Sequence, residues 1–367
     1  MWIWEQGEWP NFTWSEADIS PILRQAHFNQ GLLLGKVKAQ NNNEQQVALD
    51  TLLANIVYSS AIEDEKLNAF SIRSSLANKL GISEEKPYPT SEKTDGLAEI
   101  MLDAITNLDD ELTLERILNW HTLLFPEGYT LFNPVQGGVL RGDTPMQVVS
   151  GRLDRPTVHF EAPPRHVLDN ELTAFITWFN QSKTNNILDP LIRAAITHLW
   201  FVTLHPLDDG NGRITRLLTD LALAQAENQS IRFYAMSVSI LARRKGYYEI
   251  LEQTQKGETD ITAWLTWFFD TLNHTLLSTL QDIEQTVLKT NYWLRIDQTQ
   301  LTAEQVKVIN RLLDGDFDQG INSSQYQKVA KVSKATATRH LNTLIELGCL
   351  NKTGAGGRST RYLINYI

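Results

Sequence analysis

The chain has 367 residues, enough for two or three domains with a sizeable core, and its 42% hydrophobic and 21% charged content is ordinary for a soluble globular protein. A formal net charge of −10 argues against a chain that binds nucleic acid or an anionic membrane over its whole surface. The single cysteine, Cys349, excludes an internal disulfide and a Cys-based zinc site. No apolar run reaches the roughly 20 residues of a bilayer span, and "MWIWEQGEWPNFTW" lacks the basic and apolar regions of a signal peptide, so no membrane is expected and the expected location is the cytoplasm.

Helical patterning dominates from the first turn. Trp2, Trp4, Trp9 and Trp14 crowd the N-terminus and are expected to anchor it to the body. "SEADISPILRQAHFNQGLLLGKVKAQ", opening on a Ser15 cap, and "NEQQVALDTLLANIVYSSAIED" space apolar residues at i, i+3 and i+4, and "LTLERILNWHTLLF" continues the pattern. From "NPVQGGVLRGD" to "FEAPPR" the texture turns Gly- and Pro-rich around two β-type pieces, "MQVVS" and "PTVHF", joined by "GRLDR"; a β-hairpin is predicted there. A lone hairpin among helices adds little to a helical core, so it is a functional candidate. Helices resume through "HVLDNELTAFITWFNQS", "DPLIRAAITHLWFVTL", "RITRLLTDLALAQAE", "RRKGYYEILEQTQ" and a long run ending near residue 295.

Beyond that point "TAEQVKVINRLLDG", "SSQYQKVAKV" and "SKATATRHLNTLIELG" read as three short helices, the last capped by Ser333, followed by two strand-like pieces around "TGAGGRSTR". This is the order of a winged helix. Against the overall acidity, Lys328, Lys331, Lys334, Arg339, Lys352, Arg358 and Arg361 face one acidic residue, Glu346, after position 321. Such a module would set its third helix in a DNA major groove, or dock a protein instead.

The densest chemistry lies in "HPLDDGNGRITR", His205 to Arg216, between two apolar runs. Polar groups squeezed between core elements need partners. Gly210 and Gly212 permit tight backbone geometry and close approach by a ligand. The free N–H groups opening the next helix form an anion site, and Arg213 and Arg216, three apart, share a face near that end. Asp208 and Asp209 offer hard oxygens suited to Mg²⁺ on a polyphosphate, and His205 could act as a general base. No G-x-x-x-x-G-K-[ST] phosphate loop is present. A core or capping histidine and a plain turn are the structural alternatives.

These residues closely resemble the Fic-domain signature H-x-F-x-[DE]-G-N-G-R-x-x-R, with Leu207 where Phe is usual. The resemblance extends over about residues 90 to 270 and includes the hairpin upstream and "YY" downstream. It implies a mainly α fold: a Fic-type helical bundle with a β-hairpin flap, plus the C-terminal winged helix-turn-helix domain. The expected domains are 1–90, an N-terminal helical region, 91–295, the catalytic domain, and 296–367, the winged helix. The implied activity moves AMP from ATP to a Ser, Thr or Tyr hydroxyl of a target protein or of the chain itself, releasing pyrophosphate. By resemblance, His205 is the base and Asp209 holds Mg²⁺, with Asp208 at a variable position. Gly210, Asn211, Gly212 and Arg213 form the hole for the α- and β-phosphates, and Arg216 reaches the γ-phosphate. The hairpin near Gln147 to Phe160 resembles the flap on which a protein substrate docks by strand addition. Tyr247 and Tyr248 fall where the family packs adenine.

"SSAIEDEKL" ends the second helix with Ser59 and Glu63 four apart, on one face. It resembles the family's inhibitory [ST]-x-x-x-E-[GN], with Asp64 at the last place. A Glu63–Arg216 pair would deny Arg216 to the γ-phosphate and leave ATP in a pose unfit for transfer. The same glutamate could position water and make the enzyme remove AMP. Other readings are transfer of a different phosphate-bearing group, and a DNA-binding regulator with a nucleotide-sensing core. Members with such a brake often form dimers, so a homodimer is an expectation of the resemblance.

Overall fold

The structure, a computed structural model, describes residues 1–38, 44–84, 86–126, 135–152, 155–185, 187–227, 233–317, 319–354 and 360–366. These residues form two compact units, Met1–Leu277 and Ser278–Ile367.

The first unit is built on α1 (Glu16–Lys38), α2 (Glu44–Ile62), α3 (Ala69–Leu80), α4 (Glu92–Thr106) and α5 (Leu114–Leu124). A hairpin of β1 (Gln147–Arg152) and β2 (Arg155–Glu161) follows, then α6 (Arg165–Ser182), α7 (Pro190–Leu204), α8 (Asn211–Glu227), α9 (Met236–Ala242), α10 (Arg244–Gln255) and the first half of α11 (Thr262–Arg295). Helix α7 lies at the centre: every residue from Leu191 to Leu204 is buried. A helix covered on every side is a core helix, and its few polar side chains, such as Arg193 and His198, are hydrogen-bonded inside. Its start is fixed by Pro190 at the first position and by Asp189, whose Oδ1 accepts from the Leu191 N–H at 2.8 Å. Helix α8 buries Ile214, Leu217, Leu218 and Leu221. Each such side chain contributes about 1.5–3 kcal/mol relative to exposure. That burial fixes the axis of α8, and therefore the aim of its N-terminus.

The two strands pair antiparallel from Gln147↔Glu161 to Arg152↔Arg155. The register breaks between Val148 and Val149: Val148 faces Phe160 while Val149 faces Val158, leaving His159 as the extra residue of a β-bulge. Residues Leu153 and Asp154 of the expected turn lie outside the described residues. Three of the four N-terminal tryptophans reach the body. Trp2 meets Phe160 edge-on, Trp4 Nε1 donates to Glu161 O at 2.7 Å, and Trp9 Nε1 donates to Glu171 at 2.9 Å. Among the described residues Trp14 Nε1 donates to its near neighbour Glu16 at 3.0 Å.

The second unit holds the end of α11, then α12 (Ala303–Leu313), α13 (Ser323–Ala330), α14 (Lys334–Glu346), β3 (Leu350–Lys352) and β4 (Tyr362–Ile364). Side-chain caps from Thr302, Asn322 and Ser333 start the three helices, and Lys331 in the left-handed region stops α13. Val308, Ile309, Tyr326, Leu341 and Leu344 form its core. Ile321 bridges Tyr362, adding a third segment beside the β3–β4 pair. Lys328, Lys331, Lys334, Arg339 and Lys352 are exposed. Arg361 is half-buried, with Nη1 donating to Gly320 O at 2.9 Å, so this cation braces the fold. Arg358 and most of the "TGAGGRSTR" turn lie outside the described residues.

Candidate active site

His205 ends α7 in the left-handed region, at φ 46°, a conformation uncommon for a residue with a β-carbon. Arg141 holds it there. Its backbone N–H donates to Pro206 O at 3.0 Å, its Nε to His205 O at 2.8 Å, and its Nη2 to Pro163 O. Among the described residues this buried guanidinium bonds backbone carbonyls and no carboxylate. The His205 Nδ1 lies 3.1 Å from Val202 O. A carbonyl can only accept, so Nδ1 carries the proton and Nε2 keeps a lone pair. Burial pushes the His205 pKa below the ordinary histidine value, and the Arg141 charge acts in the same direction. His205 is therefore a neutral base near neutrality.

The loop that follows is tied to itself. Asn211 Oδ1 accepts from Leu207 N at 2.9 Å and Asn211 Nδ2 donates to Leu207 O at 2.7 Å. The Asn211 side chain thus shapes the loop, leaving its backbone for a ligand. Leu207, where the signature usually has Phe, is fully buried. Gly210 adopts φ +83°, and a β-carbon there would meet Leu124 and Phe125 at 2.9–3.0 Å. Asp209 is exposed at the loop, its Oδ1 accepting from Gly210 N at 2.5 Å and lying 3.5 Å from Arg213 Nη2.

The end of α2 reaches this point. Arg216 Nη2 donates to Glu63 Oε1 at 2.7 Å and to Ser59 O at 2.9 Å, and Arg216 Nε donates to Ser59 Oγ at 2.8 Å. Burial alone would raise the Glu63 carboxyl, but the Arg216 charge and hydrogen bond outweigh it and hold the group below its ordinary value. The carboxylate sits over the opening turn of α8: a β-carbon built on Gly212 would lie 2.1 Å from Glu63 Oε1. An anion at a helix N-terminus is what the dipole and free N–H groups favour. Here the chain supplies it. Two guanidinium N–H groups, Arg213 Nε and Arg216 Nη1, are buried without a partner among the described residues. Groups that cannot shed their charge and lack acceptors suit a polyanionic ligand.

Two further carboxylates join the same segment, and sequence reasoning missed both roles. Asp64, in the left-handed region at φ 60°, grips Arg244 through both oxygens at 2.6 and 2.7 Å. Asp tolerates this conformation better than most side chains, which accounts for its standing where Gly or Asn is usual. Glu65 bonds Arg213 Nη1 at 2.6 Å and also pairs with Lys93. Three consecutive acidic residues therefore engage three different arginines.

A cavity of about 800 Å³ lies in front of the loop, lined by His205, Asp209, Gly210, Gly212, Glu63, the hairpin and α10. Tyr247 and Tyr248 both line it. Tyr247 is fully buried, 2.9 Å from His198 Nε2, and Tyr248 is more exposed, with its hydroxyl 3.3 Å from Glu63 Oε2. Arg213 and Arg216 stand behind the loop, outside the lining.

For a metal, the described residues hold no group of three or more His, Cys, Asp or Glu side chains that could cage an ion. Mg²⁺ rarely uses such a cage, taking one or two carboxylates and completing its shell with substrate phosphates and water. A single exposed Asp209 carboxylate beside an anion loop fits that mode.

The helical unit thus sets a helix N-terminus suited to an anion and a neutral histidine beside one roomy cleft. Residues 111–223 match the Fic/DOC family, and the chain carries a domain of that family; residues 2–82 match a second family described as "Domain of unknown function (DUF4172)". Among curated proteins, "Protein adenylyltransferase fic-1" of Caenorhabditis elegans is 33% identical over 117 residues, 32% of this chain and 20% of that protein. "Uridine 5'-monophosphate transferase" of Xanthomonas campestris pv. campestris is 34% identical over 116 residues, 30% of this chain and 21% of that protein. The chain thus spans about a fifth of the length of either relative. The crystal structure of a Fic family protein from Desulfovibrio desulfuricans G20 shares the fold at a TM-score of 0.56 and 18% identity, covering 97% of this chain and 98% of that one. No helix among the described residues is long and apolar enough to cross a membrane.

Proposed function

We propose that the chain is an autoinhibited protein adenylyltransferase, moving AMP from ATP to a hydroxyl of a target protein or of itself and releasing pyrophosphate. The observation that carries this is the Glu63 carboxylate lodged over Gly212 and bonded to Arg216, in front of a neutral His205. His205 Nε2 takes the proton of the incoming hydroxyl. The freed oxygen attacks the α-phosphorus, and the bond from that phosphorus to pyrophosphate breaks. Backbone N–H groups of Gly210, Asn211 and Gly212 receive phosphate oxygens as charge builds. Arg213 neutralises the α- and β-phosphates, and Arg216, once freed from Glu63, holds the γ-phosphate. Asp209 would hold Mg²⁺, which supplies charge neutralisation on the phosphates when bound. Tyr248, the more exposed ring of the pair, faces the base, with Tyr247 behind it.

In this reading 1–90 carries the brake, 91–295 the chemistry and 296–367 a winged helix. The target segment docks on the hairpin, and the cytoplasm is the place of action. Exposed Lys334, Thr338, Arg339 and Asn342 on one face of α14 support a nucleic-acid partner for the winged helix, with a protein partner as the alternative. A second reading, AMP removal, is favoured by one detail: Glu63 keeps about 30% of its side chain exposed beside the cavity, room for a water to be oriented.

ATP labelled on its α-phosphate tests the proposal. Label should appear on protein in Glu63→Gly, faintly in the parent, and should drop when His205→Ala is added. Measurable ATP binding with no label and no pyrophosphate in any form would sink it.

A further inference from the structure

The hairpin carries a hydrogen-bonded relay that the transfer mechanism above does not use. Ser150 Oγ lies 2.5 Å from His159 Nε2, and His159 Nδ1 lies 2.7 Å from Glu252 Oε2. A serine, an imidazole and a carboxylate in series are the parts of an activated hydroxyl. The proton positions follow from the partners. Glu252 is held below its ordinary carboxylate value, first by its bond to Lys256 and then by His159, so it is ionised and can only accept. Nδ1 therefore carries the histidine proton, and Nε2 accepts from the Ser150 hydroxyl. The relay is not an accident of two facing strands. His159 is the extra residue of the β-bulge opposite Val148 and Val149, and a bulge re-aims one side chain out of the strand alternation. All three residues line the cavity that also holds His205 and Gly210.

We infer that Ser150 is a built-in acceptor of AMP, a self-modification site primed by His159 and Glu252. The inference rests on the proposed adenylyl transfer. The Ser150 oxygen bonds to the α-phosphorus of ATP while the bond from that phosphorus to the bridging oxygen of pyrophosphate breaks. The hydroxyl proton passes to His159 Nε2, and pyrophosphate leaves with the electron pair. Glu252 acts through His159, fixing its tautomer and stabilising the imidazolium. The product carries a nucleotide on the strand against which a target segment would align, so modification competes with target docking.

The test uses the full chain with Glu63→Gly, α-labelled ATP, and peptide mapping of the labelled protein. Label on the peptide containing Ser150 is expected, lost in Ser150→Ala and kept in Ser150→Thr, which retains a hydroxyl. His159→Gln preserves a polar side chain but cannot take the proton, and should cut label on that peptide at least about tenfold while other labelled peptides persist. Label on other peptides with none on Ser150 would overturn the inference and leave the proposed function standing. Unchanged Ser150 label in His159→Gln would overturn the relay. No label and no pyrophosphate anywhere would remove the underlying transferase reading, and the inference with it. Mapping on Glu63→Gly itself does not depend on the folding of any Ser150 or His159 variant.

Discussion

The loop from His205 to Arg216 and the segment from Ser59 to Glu65 meet at one point, yet different forces hold them. The loop is held by bonds to backbone groups: Asn211 to the Leu207 backbone, His205 to Val202 O, and the Arg141 guanidinium to the carbonyls of His205 and Pro163. The segment is held by charge, through Glu63–Arg216, Asp64–Arg244 and Glu65–Arg213. Bonds whose acceptors are buried backbone carbonyls do not readily exchange with a diffusing anion, whereas an arginine released by one carboxylate can take another oxyanion. The first arrangement is permanent machinery. In the proposed reading the second is displaceable by the phosphates of ATP.

The largest expected effect breaks the permanent side. In the Glu63→Gly background, His205→Ala should lower transfer to hydroxyls other than Ser150 by about 10²–10⁴-fold, measured as label per peptide, while ATP affinity changes little. Next comes the displaceable side. A charge-assisted hydrogen bond is worth about 1.5–3 kcal/mol, so Glu63→Gly should raise labelling roughly 10- to 100-fold over the parent. The same variant strands Arg216 as a buried charge, and its melting temperature should fall without ATP and recover with it.

Glu65→Gln sharpens the comparison. It removes the nearer anionic partner of Arg213, leaving Asp209 at 3.5 Å and Glu63 in place, so labelling should rise by a smaller factor, about 2- to 10-fold. Asp64→Asn should have the smallest effect, fading with added salt, because that pair is largely exposed. An Asp64 effect as large as that of Glu63 would mean that the segment is latched at its rim.

Stability carries its own signature. Burial, with the nearby Arg216 charge, pushes the His198 pKa down to about 3, against an ordinary value of 6.5. Its ring is neutral in the native state and protonates on unfolding, so the unfolded state binds more protons as pH falls. Stability should therefore decline below pH ~6.5 by about 1.4 kcal/mol per pH unit until the native ring itself titrates. A shallower slope in His198→Gln, followed by thermal melts from pH 7 to 5, checks this.

Much of the site was legible because its parts are close in sequence. The twelve residues from His205 to Arg216 carry, by type and spacing alone, the expectation of an anion site, and Ser59 with Glu63 shows the helical step that puts both on Arg216. Glu65 was within sight, two positions on, but nothing in the sequence aims it at Arg213, which is 148 residues away. Arg141 was hidden for the same reason, since its partner carbonyl on His205 lies 64 residues downstream. The relay from Ser150 depends on a one-residue bulge, a register detail that composition does not encode. The helices were easier, since α7 and α8 are written as apolar runs. Of the basic tail, Arg361 turned inward because a strand end and Gly320 O happened to meet there.

The hydrogen of Gly212 that takes the place of a methyl group leaves a small volume that the chain's own Glu63 carboxylate fills, and in the proposed reading a guest's phosphate fills it in turn. Any side chain at that place would evict both together. In that reading restraint and catalysis share the same missing carbon, and a larger residue at Gly212 should lose both together rather than give an enzyme that is simply always on.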